Sequence, residues 1–254
     1  MKNKAVPNSL KAIKANPKIL IYSLLYTVMV MLLSVGRSFA FYKIMIWGEW
    51  KLPYKNNSAL YFIASFLLES IEMVILTSFV YMLIKSKLKF KRFFSFMSVK
   101  NLRYNILFSL LIILPKELLN LVLNSEAFKN SAFFSVAVSV FCFIFLIFID
   151  IMIYFKAANN KEGIGGVFGM AVDFSASSFV SVFVCCLELL IPAYIVKMIL
   201  ERIFYSLIAD DTFLSALLSV DYGVDILLIP TYFLSLHNLN NGEFKSHRKD
   251  TENL

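Results

Sequence analysis

Apolar runs of about twenty residues recur six times along this chain of 254 residues, and few folds accommodate that. A run of about twenty residues lets a helix cross the ~30 Å hydrocarbon core of a bilayer, where every backbone group must be satisfied within the segment. With 59% of residues apolar and 17% charged, the pattern predicts an all-α polytopic membrane protein. Its single domain covers 1–237, a six-transmembrane-helix bundle with spans at roughly 19–41, 59–84, 105–125, 132–155, 178–204 and 213–236. Short amphipathic cytoplasmic connections join the spans, and 238–254 reads as a polar, disordered cytoplasmic tail.

Lys and Arg number 25 against 17 Asp and Glu, a net charge of +8. In a soluble protein that excess would suggest nucleic acid; in a membrane chain basic residues set orientation, and no nucleic-acid partner is implied. Seventeen of the 25 fall in the N-terminal segment, the 85–104 and 156–177 connections and the tail. Both termini are therefore expected on the cytoplasmic side of the cell (inner) membrane. Ser38-Phe39-Ala40, after a basic stretch and an apolar run, loosely imitates a secretory cleavage site. The run is too long for a signal core and Arg37 interrupts the site, so the first span is expected to be retained.

Cys142, Cys185 and Cys186 lie in apolar runs and read as small buried thiols. The two histidines, His237 and His247, are in the tail, which excludes a His-ligated metal site inside the membrane. In the 85–104 connection, Lys87, Lys89, Lys91 and Arg92 interleave with Phe90, Phe93, Phe94 and Phe96, the pattern of a basic helix in the headgroup layer. The same residues could dock a cytoplasmic partner such as an ATPase. Gly163, Gly165, Gly166 and Gly169 imitate a phosphate-binding loop, but no strand precedes them and no Gly-Lys-Ser/Thr follows. They read as a flexible lead into a short amphipathic helix.

The unusual chemistry lies within the spans. Glu69 and Glu72, Lys116 and Glu117, Glu188, and Asp221 and Asp225 each fall near the middle of their span, with Asp150 closer to the cytoplasmic side. At 100° per residue the polar groups line up in stripes, Asp221 with Asp225 and Ser65 with Glu69 and Glu72. Seven ionisable groups facing lipid would cost on the order of 20 kcal/mol, more than a typical domain's net stability. They must face one another or water. Six acids against Lys116 leave an acidic surplus, so either some are protonated or a cation sits among them; the sequence does not say whether a metal ion is meant. Pro115, just before Lys116, and Pro192, one turn after Glu188, can expose backbone carbonyls beside these acids, and Pro230 lies about one turn beyond Asp225. The bland alternative is a static polar cluster that holds the helices together. Lys197, Glu201 and Arg202 read as an outer surface cluster, with Lys197 and Glu201 spaced as a helical pair.

Enzyme chemistry is not expected. Asp221-Tyr222 and Gly223-Val224-Asp225 resemble intramembrane aspartyl protease motifs only in reversed order and on one helix. There is no His-Glu-x-x-His or Gly-x-Ser-Gly, and no intramembrane histidine to activate Ser or Cys. No cofactor is implied.

The opening LKAIKANPKILIYSLL, the connection KSKLKFKRFFSFM and the connection GVFGMAVDFSASS together resemble, in layout, a bacterial and archaeal group of six-span membrane proteins. The group includes the membrane domain fused to some glycerophosphodiester phosphodiesterases and related stand-alone membrane proteins of unassigned role. The resemblance implies a multi-pass protein with cytoplasmic termini and carries over no catalytic residue. The expected function is a transporter or permease-like protein handling a cation or protons through Glu69, Glu72, Lys116, Glu117, Glu188, Asp221 and Asp225. Its alternative is a non-transporting membrane subunit or envelope-associated scaffold, possible lipid handling included, that docks a partner through Lys87, Lys89, Lys91 and Arg92.

Overall fold

A computed structural model describes the backbone over 4–51, 54–85, 88, 103–104, 106–107, 110–111, 132–159, 161–207 and 220–251, and side chains chiefly over 4–34, 66–85, 136–159, 161–199 and 223–241. Among these residues the chain is all-helical, with six helices and no strand. They are α1 (Ala5–Ala15), α2 (Lys18–Lys51), α3 (Tyr54–Ile84), α4 (Ala132–Ala158), α5 (Ile164–Leu207) and α6 (Val220–Thr251).

Among the described residues three stretches are long and apolar enough to cross a membrane: Phe66–Ile84 in α3, Val136–Ala158 in α4 and Ile164–Ile199 in α5. The surface of α5 agrees with a membrane location. Val180 is 73% exposed and Tyr194 65%, and Phe179, Ile191, Ile195, Met198 and Ile199 are exposed along the same helix. So continuous an apolar surface is at home against lipid tails rather than in water.

The break between α1 and α2 follows from Asn16-Pro17. A residue before proline is pushed out of the α region, and Asn16 adopts φ −133°, ψ 83°, its N–H closing α1 on the carbonyls of Ala12 and Ile13. Pro17 gives its carbonyl to Leu20 as α2 begins, and the chain turns by 99°.

Two element boundaries depart from the sequence reading. Gly165, Gly166 and Gly169 of the glycine-rich stretch lie in the opening turns of a helix that runs unbroken from Ile164 to Leu207, rather than in a lead into a separate short helix. At 44 residues it is about 66 Å long, more than any bilayer requires. α6 likewise continues to Thr251, past 237, where the sequence predicts a disordered tail.

The chain divides into two compact units, one of Met1–Leu32, Phe79–Arg92 and Val172–Leu254, the other of Leu33–Ser78 and Phe93–Ala171. In the first, α1 packs on α6, Tyr26 stacks on Phe79 with ring centroids 5.1 Å apart, and Val182, Cys185, Cys186, Phe233 and Leu236 are buried. In the second, the end of α4 is the core. Ile149, Met152, Ile153 and Tyr154 are almost fully buried, and Phe148 meets Phe168 edge to face at 5.7 Å.

Candidate functional site

α5 and α6 run antiparallel. Cys185 faces the Ser235 side chain, and twelve residues further along α5 the Lys197 ammonium lies 3.5 Å from Oδ1 of Asp225, ten residues back along α6. Both side chains of this pair are largely shielded, at 23% and 28% exposure. The sequence reading leaves Lys197 at the surface with Glu201 and gives it no chemistry; the structure corrects that by making it a counter-ion of Asp225. An open groove of about 390 Å³ adjoins the pair, lined by Leu190, Ile191, Ala193, Tyr194, Ile195, Lys197 and Leu228. Among the described residues of this lining lysine is the only ionic group, so the pair stands beside an apolar wall.

A proline lies near the pair in each helix, Pro192 within α5 and Pro230 within α6. Pro230 has no N–H for the carbonyl of Ile226, the residue after Asp225. That carbonyl accepts a hydrogen bond from Ser23 Oγ of α2 at 2.6 Å instead. Ser23 is fully buried and its own carbonyl accepts from Thr27. Hydroxyl-to-carbonyl bonds continue along α6, Thr231 onto Leu227 at 2.6 Å and Ser235 onto Thr231 at 2.7 Å. At Pro230 the carbonyl released by the proline is thus taken up by a side chain of another helix. The donor that fills the gap, Ser23, escaped the sequence reading because nothing in a hydropathy pattern sets α2 against α6.

The remaining predicted site residues are distributed as follows. Glu188 is exposed and lies nine residues before Lys197, about 13 Å along the helix axis, so it stands at a different level from Asp225. Asp221 is in the first turn of α6, with its side chain outside the described residues. Glu69 is 4% exposed, beside the buried Ser70; Glu72 and Asp150 are half-buried. These three belong to the second unit. Lys116, Glu117, Lys87, Lys89, Lys91 and Arg92 lie outside the described residues. Among the described residues no three His, Cys, Asp or Glu side chains gather as a metal site.

A buried cation was also missed. Lys156, counted in the sequence as a cytoplasmic surface charge, is 1% exposed. Its ammonium donates to the Glu162 carbonyl at 2.9 Å and lies 4.1 Å from the centroid of the Tyr104 ring. It joins the turn between α4 and α5 to the short helical piece at Arg103–Tyr104.

No family model, curated protein or solved structure matches this chain.

Proposed function

We propose that the chain is a six-span inner-membrane protein with cytoplasmic termini that binds and passes a cation or protons at Asp225, with Lys197 as the internal counter-ion. The observation that carries this reading is the shielded Lys197–Asp225 pair beside an apolar groove. An ion pair in such a place is expensive to build and adds little stability over apolar packing, so retaining it calls for a use. A proton or cation arriving at Asp225 displaces Lys197, and the two helices then lose the ionic contact that joins them near their prolines. This gives two states that differ by one exchangeable charge. Without a gathered metal-ligand set among the described residues, a proton, a monovalent ion or an organic cation suits the site better than a tightly chelated divalent ion.

The six-span count and the orientation are supported by the hydropathy pattern, the distribution of Lys and Arg, and the layout resemblance. The docking alternative rests on Lys87, Lys89, Lys91 and Arg92, which lie outside the described residues.

The reading is tested by the thermal stability of the purified full chain against a panel of monovalent, divalent and organic cations at several pH values, beside Asp225→Asn. A ligand bound only by the folded state at a hundred times its Kd stabilises by about 2.7 kcal/mol. One cation should raise the midpoint in the parent and not in the variant, or, if the ligand is a proton, the midpoint of the parent should change with pH differently from that of the variant. A parent that ignores every cation and whose pH dependence matches that of Asp225→Asn overturns the proposal.

A further inference from the structure

The first acid in the chain is Glu49, whereas Lys2, Lys4, Lys11, Lys14 and Lys18 precede it. α1 has eleven residues, about 16 Å, half of what a membrane crossing needs. It meets α2 at 99°, so it lies across that helix rather than continuing it.

One side of α1 is committed. Ala5, Val6, Ser9 and Ile13 are buried, and α1 packs on α6. Ser9 Oγ lies 3.0 Å from Ser235 Oγ, and the Asn238 side-chain amide donates to Ser9 Oγ at 3.0 Å and to the Ala5 carbonyl at 3.4 Å. At 100° per residue Lys4, Lys11 and Lys14 fall on the opposite side. All three are exposed, as is Lys18 at the head of α2. Leu10, 43% exposed, flanks this ridge. A short helix docked on one side, basic on the other and set crosswise to its apolar neighbour has the geometry of a segment lying in the headgroup layer.

We propose that the Lys4–Lys11–Lys14 ridge, continued by Lys18, is a binding surface for anionic phospholipid headgroups. Charge complementarity selects the occupant. Lys4, Lys11, Lys14 and Lys18 present ammonium groups, no carboxylate occurs between residues 1 and 48, and α2 starts immediately beyond the 99° turn, which puts the lysines where headgroup phosphates lie. The docking on α6 gives the surface a consequence, because Ser235 and Asp225 are ten residues apart on that helix, about 15 Å.

The test is a titration of the full chain in detergent with phosphatidylglycerol, with phosphatidylcholine of the same acyl chains, and with free glycerol phosphate, reading the thermal midpoint at low and high salt. Phosphatidylglycerol should raise the midpoint at low salt and less so at high salt, while phosphatidylcholine and free glycerol phosphate leave it unmoved. Each lysine beside an anionic surface is worth roughly a fivefold change in affinity. Lys4→Gln/Lys11→Gln/Lys14→Gln should therefore need roughly 100-fold more phosphatidylglycerol. Lys11→Gln and Lys14→Gln alone, each expected to cost roughly fivefold, serve if the triple variant does not fold. Equal responses to the two lipids overturn the proposal. So does a full response in the lysine variants, particularly if Lys89→Gln/Lys91→Gln/Arg92→Gln abolishes it, since that would place the lipid on the 85–104 connection. Asp225→Asn should keep the lipid response, which separates this surface from the cation site.

Discussion

Asp225 and Lys197 show how one contact reassigns two residues. Spacing alone pairs Lys197 with Glu201 one turn away and leaves Asp225 in an acidic surplus. The register of α5 on α6 brings Lys197 to 3.5 Å from Asp225, and no periodicity specifies a register between two helices. Lys156 was illegible for the same reason, because its burial depends on Tyr104 and on the Glu162 carbonyl, neither of which a hydropathy window weighs. The ion pair can be measured directly. Removing one partner of a fully buried pair costs about 3 to 5 kcal/mol, while exposed pairs contribute about 0 to 1. With exposures of 23% and 28%, screening reduces the cost, and Lys197→Met or Asp225→Leu should each destabilise by about 1 to 2 kcal/mol. The double variant leaves no unpaired charge and should unfold close to the parent, giving a coupling energy of about 1 kcal/mol or more in a double-mutant cycle. Unfolding in mixed micelles supplies the four values; strictly additive costs would mean that the two charges do not stabilise each other.

At the scale of the element, helix existence was legible and helix ends were not. The stretches Phe66–Ile84, Val136–Ala158 and Ile164–Ile199 overlap three of the runs that hydropathy picks out, because crossing length and apolar content are properties of the segment itself. The ends depend on neighbours. Gly163 to Gly169 suggest a loop by composition, yet Phe168 packs on Phe148 and the segment is held as helix. Pro230 illustrates the converse, a local signal whose effect is decided by a distant partner. Its ring leaves the Ile226 carbonyl without a helical donor, and Ser23 fills the place at 2.6 Å. Ser23→Ala should strand a half-buried carbonyl and cost about 1 to 2 kcal/mol. In a Pro230→Ala background the backbone N–H of residue 230 can satisfy Ile226, so the same Ser23→Ala change should cost close to nothing. A Ser23→Ala cost that is unchanged by Pro230→Ala would show that the hydroxyl contributes packing only.

For the molecule as a whole, membrane class and helical architecture were legible because they follow from composition and run length, whereas its response to pH depends on where a single imidazole lies. The sequence puts His237 in a solvated tail; the structure carries α6 through it, with Asn241 at 3.1 Å from its Nε2. Burial first, and the Lys85 ammonium second, lower its pKa below the ordinary 6.5. The unfolded chain therefore takes up a proton near pH 6.5, while the folded chain stays neutral until the pH is lower. Across that interval the unfolded state binds more protons, so stability is present in full above 6.5 and falls as the solution is acidified towards the folded pKa. Thermal midpoints measured between about pH 7.5 and 5.5 should fall in the parent. His237→Gln, which keeps an acceptor for Asn241 but cannot be protonated, should fall less, with the two curves diverging only below about 6.5. Lys85→Gln removes the second cause and should shift the divergence in the same direction by a smaller amount. Parallel curves for parent and His237→Gln would mean that acid acts elsewhere, and the carboxyls of α3, α5 and α6 would be the next groups to titrate.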